Sequence, residues 1–171
     1  ECTGIPAEKI HVCYEGFNEG FLATLSDTTQ IKRIIERYAL PEKYILAFNS
    51  SRIHKNTIAA IHVFDELKKT IPDLHLVLIG GTSTSNKQVA SYLTSHKLID
   101  YTHFISLVET IEQFRIIYGK SVAFLFLSTE EGFGLPPLEA LASGTLPVIS
   151  DLSSLKELFV PLLPSFNPDN T

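Results

Sequence analysis

Two glutamates flank a glycine-rich turn in the second half of the chain. Glu131 follows an apolar run, residues 122–127, that predicts a buried strand. Glu139 lies about one turn into a short helix that Pro136 and Pro137 open. Unpaired backbone N–H groups at a helix start carry a partial positive charge that suits an anion. This succession of strand, turn and helix therefore predicts a phosphate-binding site with two carboxylates beside it.

The chemistry around this turn favours a ligand of mixed character. Gly132 and Gly134 remove side chains, so a phosphate could approach the backbone closely. The carboxylates of Glu131 and Glu139 would repel a phosphate, but they accept hydrogen bonds from hydroxyl groups. We therefore expect a ligand with a phosphate centre and hydroxyl-rich ends, a description that fits a nucleotide-sugar.

A cationic loop after an earlier apolar strand predicts a second anion site. Residues 49–56 contain Arg52, His54 and Lys55. If this loop faces the Glu131 turn, Arg52 and Lys55 would hold a diphosphate and stabilise the charge on a departing nucleoside diphosphate. His54 either substitutes for an arginine or is an exposed loop histidine. The alternative is a solvated loop in which Asn56 caps the next helix.

Strands and helices alternate along the chain, and this order indicates the fold class. Strands are predicted at residues 44–48, 74–79, 102–105 and 122–127 and from Pro147, and helices at about 26–38, 57–69, 85–96 and 108–118. Strands that are apolar on both faces indicate a parallel sheet covered on both sides. The prediction is an α/β protein, a Rossmann-like doubly wound parallel sheet with helices on both faces and ligand at the strand carboxyl ends.

Composition excludes several classes of function. The net charge of -5, from 14 basic and 19 acidic residues, argues against non-specific nucleic-acid binding. No apolar run is long enough for a membrane span. Cys2 and Cys13 are too few for a disulfide framework, so a cytoplasmic protein is expected, and the full-length protein could still sit at a membrane surface. The histidines outside the cationic loop lack metal-ligand spacing, and no Asp-x-Asp pair is present.

The segment 128–144, with its core Glu131-Gly132-Phe133-Gly134 and its prolines, resembles the Glu-x7-Glu donor-site motif of retaining GT-B glycosyltransferases, the group 1 or family-four class. A short apolar strand expected at residues 10–14, followed by Glu15 to Asn18, resembles the hinge of these enzymes. The resemblance implies the C-terminal half of a GT-B fold. Residues 1–25 would be the interdomain hinge strand and linker. Residues 26–171 would be a nucleotide-sugar-binding domain that is truncated at its C-terminal end and lacks its N-terminal acceptor domain.

The resemblance also implies a role for each matching residue. Catalytic roles fall to Glu131, which would orient the transferred sugar, and to Lys55 and Arg52, which would neutralise the diphosphate. Glu139 would hold the ribose hydroxyls. The remaining donor-binding positions are Gly132, Phe133, Gly134 and Leu135 at the turn, Leu107 and Val108 near the base, and Gly80. The family uses no metal for leaving-group stabilisation, so neither a metal nor another cofactor is expected.

Three functions remain open on the sequence. The first is retaining, metal-independent transfer of a hexose from a UDP- or GDP-sugar to an acceptor hydroxyl, as in polysaccharide or glycan biosynthesis. The second is a non-catalytic nucleotide-sugar binding module that requires a partner chain. The third, a sugar-nucleotide epimerase, would need acid and base residues that the sequence does not provide. We favour the transferase, and we expect this chain alone to be inactive.

Overall fold

Six parallel strands form one sheet. The computed structural model describes residues 4–24, 26–160 and 162–167. The strands are β1 (Tyr44–Phe48), β2 (His75–Ile79), β3 (Thr102–Ile105), β4 (Ala123–Phe126), β5 (Pro147–Ser150) and β6 (Ser165–Phe166). Their spatial order is β3-β2-β1-β4-β5-β6, and every neighbouring pair is parallel. The predicted doubly wound, Rossmann-like fold is therefore confirmed.

Helices cover both faces of the sheet and divide the core in two. The helices are α1 (Thr28–Arg37), α2 (Thr57–Thr70), α3 (Lys87–Ser95), α4 (Ile111–Lys120), α5 (Leu135–Ala142) and α6 (Ser153–Phe159). One core packs Tyr118 of α4 and Ala140 of α5 against Phe124 of β4. The other packs Phe64 of α2 and Leu93 of α3 against the opposite face. Because both faces are covered, the strands are apolar almost throughout.

Polar caps set the helix starts. The Asp27 carboxylate accepts hydrogen bonds from the first turn of α1. In contrast, α4 begins at Ile111, later than the predicted start at Val108. The Thr110 hydroxyl accepts a hydrogen bond from the Gln113 amide at 3.2 Å, which fixes the start there, and Val108 is buried in the preceding loop.

The amino-terminal segment corrects one prediction. Residues 10–14 form no strand, and Ile10, Val12 and Tyr14 are exposed. Two short 3-10 turns, Ala7–Lys9 and Glu19–Leu22, flank this extended stretch. An apolar alternation becomes a strand only where a neighbouring strand completes the backbone hydrogen bonds, and the described residues supply none here. The expected hinge role stays a prediction, and residues 1–3, which include Cys2, and residue 25 lie outside the described parts.

The carboxyl-terminal part adds two elements that the sequence analysis did not predict. Helix α6 follows β5. Strand β6 then pairs with β5 through Ile149↔Ser165 and Ser150↔Phe166. Residue 161 and residues 168–171 of the expected donor domain lie outside the described segments. None of the helices in the described segments has the length and apolar character needed to cross a membrane.

Candidate functional site

The site lies where the strand order reverses, between β1 and β4. Chain connections run outward in opposite directions from this point, so the loops that leave the carboxyl ends of β1 and β4 enclose a crevice. A backbone hydrogen bond from the Thr129 amide to the His54 carbonyl, 2.8 Å long, joins the two loops. The fold thus brings the cationic loop and the Glu131 turn together, although the sequence separates them widely.

An ion pair connects the two loops. Lys55 Nζ lies 2.6 Å from Glu131 Oε1, and the two side chains are 26% and 12% exposed. Lys55 Nζ also lies 5.7 Å from the ring centroid of Phe126, at the end of β4. On the other side of the turn, the Ser154 hydroxyl of α6 donates a 2.9 Å hydrogen bond to the Glu131 carbonyl. Both the side chain and the backbone of Glu131 are therefore held in place.

An open cleft borders this ion pair. Its volume is about 480 Å³, and it is lined by Arg52, His54, Lys55, Glu130, Glu131 and Gly132. Arg52 is exposed and forms no ion pair with any residue that the structure describes. Two cations and two carboxylates consequently face one volume, which suits a ligand with both an anionic and a hydroxyl-bearing part.

The two glycines of the turn differ in what they allow. A Cβ at Gly132 would meet nothing within 4 Å, so the space beside the backbone there is open. Gly134 has φ +96°, and a Cβ would lie 2.5 Å from Leu155 Cδ2. Gly134 therefore accommodates a left-handed backbone against α6, and the expectation that it also gives a phosphate room stays a prediction.

The start of α5 presents backbone donors near the cleft. Gly134 is the N-cap residue and has no side chain that could cap the helix, and Leu135 is the first helical residue. Phe133, half-buried, lies 6.2 Å from the ring of Tyr14. The Tyr14 hydroxyl donates a 3.1 Å hydrogen bond to Glu157 of α6. The amino-terminal segment therefore crosses beside the turn.

Glu139 lies apart from the cleft. It is half-buried on α5, and burial raises the pKa of its carboxyl group, whereas the neighbouring Tyr118 hydroxyl lowers that pKa. The Tyr118 hydroxyl is itself buried, and its geometry falls short of a hydrogen bond to any described group. Glu139 is not one of the described residues that line the cleft.

The remaining predicted positions occupy neighbouring loops on the same edge of the sheet. Gly80, just after β2, has φ +108°, and a Cβ there would lie 2.8 Å from the Asn49 carbonyl oxygen. Leu107 follows β3 and is 66% exposed, while Val108 is buried, so only its backbone is available to a ligand. None of these three lines the cleft around Lys55.

Sequence reasoning missed several groups that support the site. Ser154 belongs to a helix that was not predicted, and Tyr118 reads in the sequence as an ordinary apolar position of α4. Asn56 is the N-cap residue of α2, as the alternative expects, but with φ 47° its side chain makes no capping hydrogen bond. In the described ranges, no three His, Cys, Asp or Glu side chains gather in a way that could hold a metal ion.

Comparisons with known proteins identify the family. The family model "Glycosyl transferases group 1" matches residues 29–163. The chain is 31% identical over 167 residues to the O-antigen chain mannosyltransferase RfbU of Salmonella typhimurium, covering 97% of this chain and 42% of that protein. It superposes on the crystal structure of HepE from Anabaena in complex with UDP and glucose with a TM-score of 0.78, at 20% identity, covering 96% of this chain and 45% of that one.

A third comparison concerns a shorter relative. The C-terminal domain of the group 1 glycosyl transferase LpcC from Francisella tularensis superposes with a TM-score of 0.71 at 22% identity, covering 90% of this chain and 80% of that one. The chain thus spans less than half the length of RfbU and of HepE, and most of the LpcC domain. The matched range includes the cationic loop, the glycine turn and both glutamates, so the chain belongs to the group 1 glycosyl transferases.

Proposed function

We propose that this chain binds the nucleotide-diphosphate sugar donor of a retaining, metal-independent glycosyltransferase. The observation that carries the proposal is the Lys55–Glu131 pair, which joins a cationic loop to a glycine turn where the strand order reverses. A diphosphate needs the cations, and the hydroxyls of the transferred sugar need the carboxylate. Both requirements meet in one cleft.

Each residue has a distinct task in this proposal. Lys55 and Arg52 neutralise the diphosphate and stabilise the charge that grows as the nucleoside diphosphate leaves. Glu131 accepts hydrogen bonds from hydroxyls of the transferred sugar, and Glu139 accepts them from the ribose. Because Glu131 is assigned to the sugar hydroxyls and pairs with Lys55 in the ligand-free chain, we propose that the departing phosphate oxygen takes the acceptor proton.

The ligand-free site already holds the two catalytic partners against each other. Donor binding would exchange the contact between Lys55 and Glu131 for one between Lys55 and the diphosphate, and for another between Glu131 and the sugar. Each charged group then keeps a partner throughout, which avoids the cost of a buried unpaired charge.

The relatives support a hexose donor and leave two nucleotides to be distinguished. RfbU is named as a mannosyltransferase, and HepE was crystallised with UDP and glucose. We therefore propose a UDP- or GDP-hexose as donor, used by the complete protein in glycan synthesis. A binding module without activity would share the same donor site, and transfer by the complete protein is what separates the two functions.

Calorimetric titration of the chain with UDP, GDP, UDP-glucose and GDP-mannose tests the proposal. We expect saturable binding of one nucleotide and of its sugar, and a loss of at least about tenfold in affinity for Lys55→Met, because one charge-assisted contact is removed. Lys69→Met, an exposed lysine on α2, is the matched control and should bind as the unmodified chain does. Absence of binding by all four ligands to the folded chain would refute the proposal.

A further inference from the structure

Tyr118 has a buried hydroxyl whose presence the core does not explain. The side chain is fully buried on α4, and its ring packs edge-on against Phe124 at 5.1 Å and against Phe21 at 6.3 Å. Those contacts would be served equally well by phenylalanine. The hydroxyl oxygen is buried without a hydrogen bond to any described residue, and burying such a group costs free energy. A second role for the oxygen would account for that cost.

The group beside this hydroxyl is the carboxyl of Glu139. Helix α4 lies against α5, and the charge of Glu139 is close enough to raise the pKa of Tyr118 further than burial alone does. Glu139 is half-buried, so the residue is not sealed off from solvent. A carboxylate has two oxygens, and a donor on the protein side leaves one oxygen for a ligand.

We propose that Tyr118 is a positioning residue for Glu139. In this proposal its hydroxyl lies beside the inner carboxylate oxygen and favours the ionised form already in the ligand-free chain. When a nucleotide binds, this contact closes to a hydrogen bond and directs the outer oxygen to the ribose hydroxyls. The proposal rests on the proposed function, in which Glu139 holds the ribose. Tyr118 does not touch the nucleotide, so it acts only through Glu139.

Few other charged groups face Glu139. Strands β4 (Ala123–Phe126) and β5 (Pro147–Ser150), which pack against α5, contain no ionisable side chain. The 3-10 turn Glu19–Leu22, also in contact with α5, carries the exposed Glu19. The cleft groups Lys55 and Glu131 pair with each other. Helix α4 also carries Glu112, Arg115 and Lys120, but among the described groups burial and the Tyr118 hydroxyl are what shift the pKa of Glu139. Tyr118 is therefore the nearby donor that can favour the ionised form of this carboxylate.

The first experiment needs no nucleotide. Carboxyl carbon NMR of 13C-labelled glutamate, assigned with Glu139→Gln, reports the titration of Glu139 in the ligand-free chain. We expect Tyr118→Phe to raise the pKa of Glu139, because the neighbouring hydroxyl lowers that pKa in the ligand-free chain. Tyr44→Phe is the matched control, since Tyr44 is equally buried but donates to the Ile117 carbonyl at 2.6 Å, and it should leave that pKa unchanged.

Two outcomes of this titration overturn the proposal. One is a pKa of Glu139 that Tyr118→Phe leaves unchanged, and the other is an equal shift in Tyr44→Phe. If Tyr118→Phe does not fold, the ring-carbon signal next to the Tyr118 hydroxyl replaces it as the measurement in the unmodified chain. That signal should follow the titration of Glu139, and a signal that stays constant would also overturn the proposal.

The second experiment measures nucleotide affinity in a double-mutant cycle. Tyr118→Phe should weaken binding of UDP or GDP by roughly three- to tenfold, the worth of one hydrogen bond, and should have no effect in the Glu139→Gln background. An equal loss in both backgrounds would show that Tyr118 acts through packing and would overturn the proposal. A failure of the unmodified chain to bind any nucleotide would instead refute the proposed function, and the ligand-free titration would still decide the role of Tyr118.

Discussion

The ion pair between Lys55 and Glu131 should contribute a measurable coupling free energy in the ligand-free chain. At 2.6 Å, two unit charges attract by about 6 kcal/mol at an effective dielectric constant of 20. Desolvation offsets most of this attraction. Side-chain exposures of 26% and 12% lie between those of surface pairs, worth about 0–1 kcal/mol, and of buried pairs, whose disruption costs about 3–5 kcal/mol. We therefore expect a coupling of about 1–2 kcal/mol.

Urea unfolding of Lys55→Met, Glu131→Gln and the double variant measures this coupling as a thermodynamic cycle. The exposed pair Lys69–Glu66, at 2.5 Å with side-chain exposures of 60% and 73%, provides the control. The same cycle on that pair should give less than about 0.5 kcal/mol, because water screens it. Equal coupling in the two pairs would refute the argument that partial burial strengthens the pair in the cleft.

The same variants separate the roles of the two residues in binding. If a diphosphate takes Lys55 away from Glu131, Glu131→Gln should bind bare UDP or GDP as well as the unmodified chain or up to about tenfold more tightly, because no pair has to be broken. Lys55→Met should lose affinity. Calorimetry with the bare nucleotide gives both values, and an equal loss of affinity in the two variants would contradict the division of roles.

Two further predictions concern stability. Gly134→Ala should lower the free energy of unfolding by about 1–3 kcal/mol, because φ is +96° and the new Cβ would lie 2.5 Å from Leu155. Gly132→Ala is the control and should cost much less, because the space at that position is open. Equal losses of the two variants in urea unfolding would count against this account. Burial raises the folded-state pKa of Glu139 above its ordinary pKa of 4.5. Between these two pKa values the folded chain binds more protons than the unfolded chain, so this group lowers the stability as the pH rises through that window. Glu139→Gln should therefore be more stable than the unmodified chain at pH 7 and lose that advantage below pH ~4, and a stability difference that does not change with pH would contradict the assignment.

Long-range features of the fold could be predicted because they follow from strand order. Alternating strands and helices imply a parallel sheet, and a parallel sheet places all βα loops at one edge. That reasoning was enough to expect the cationic loop near the Glu131 turn, although 76 positions separate Lys55 from Glu131. The direct ion pair was not predicted, because the sequence states which charges are present but not which of them meet when no ligand is bound.

Short and weakly patterned elements could not be predicted. Strand β6 has two residues in a proline-rich tail, and its existence depends on a free edge of β5. Conversely, residues 10–14 have the apolar pattern of a strand but no strand beside them. The function of Gly134 also depends on a distant contact, since Leu155 belongs to a helix that sequence periodicity did not reveal.

The pairing of β1 with β4 divides the sheet into two halves, β1-β2-β3 and β4-β5-β6, which meet along Ile45↔Ala123, Leu46↔Phe124 and Ala47↔Leu125. Lys55 lies in the loop that follows β1 of one half, and Glu131 lies in the loop that follows β4 of the other. A ligand that contacts both loops therefore links the two halves of the sheet. If it binds only the folded chain, it raises the free energy of unfolding by about 2.7 kcal/mol at a concentration one hundred times the Kd. The stability of the whole sheet should therefore rise with the concentration of the ligand.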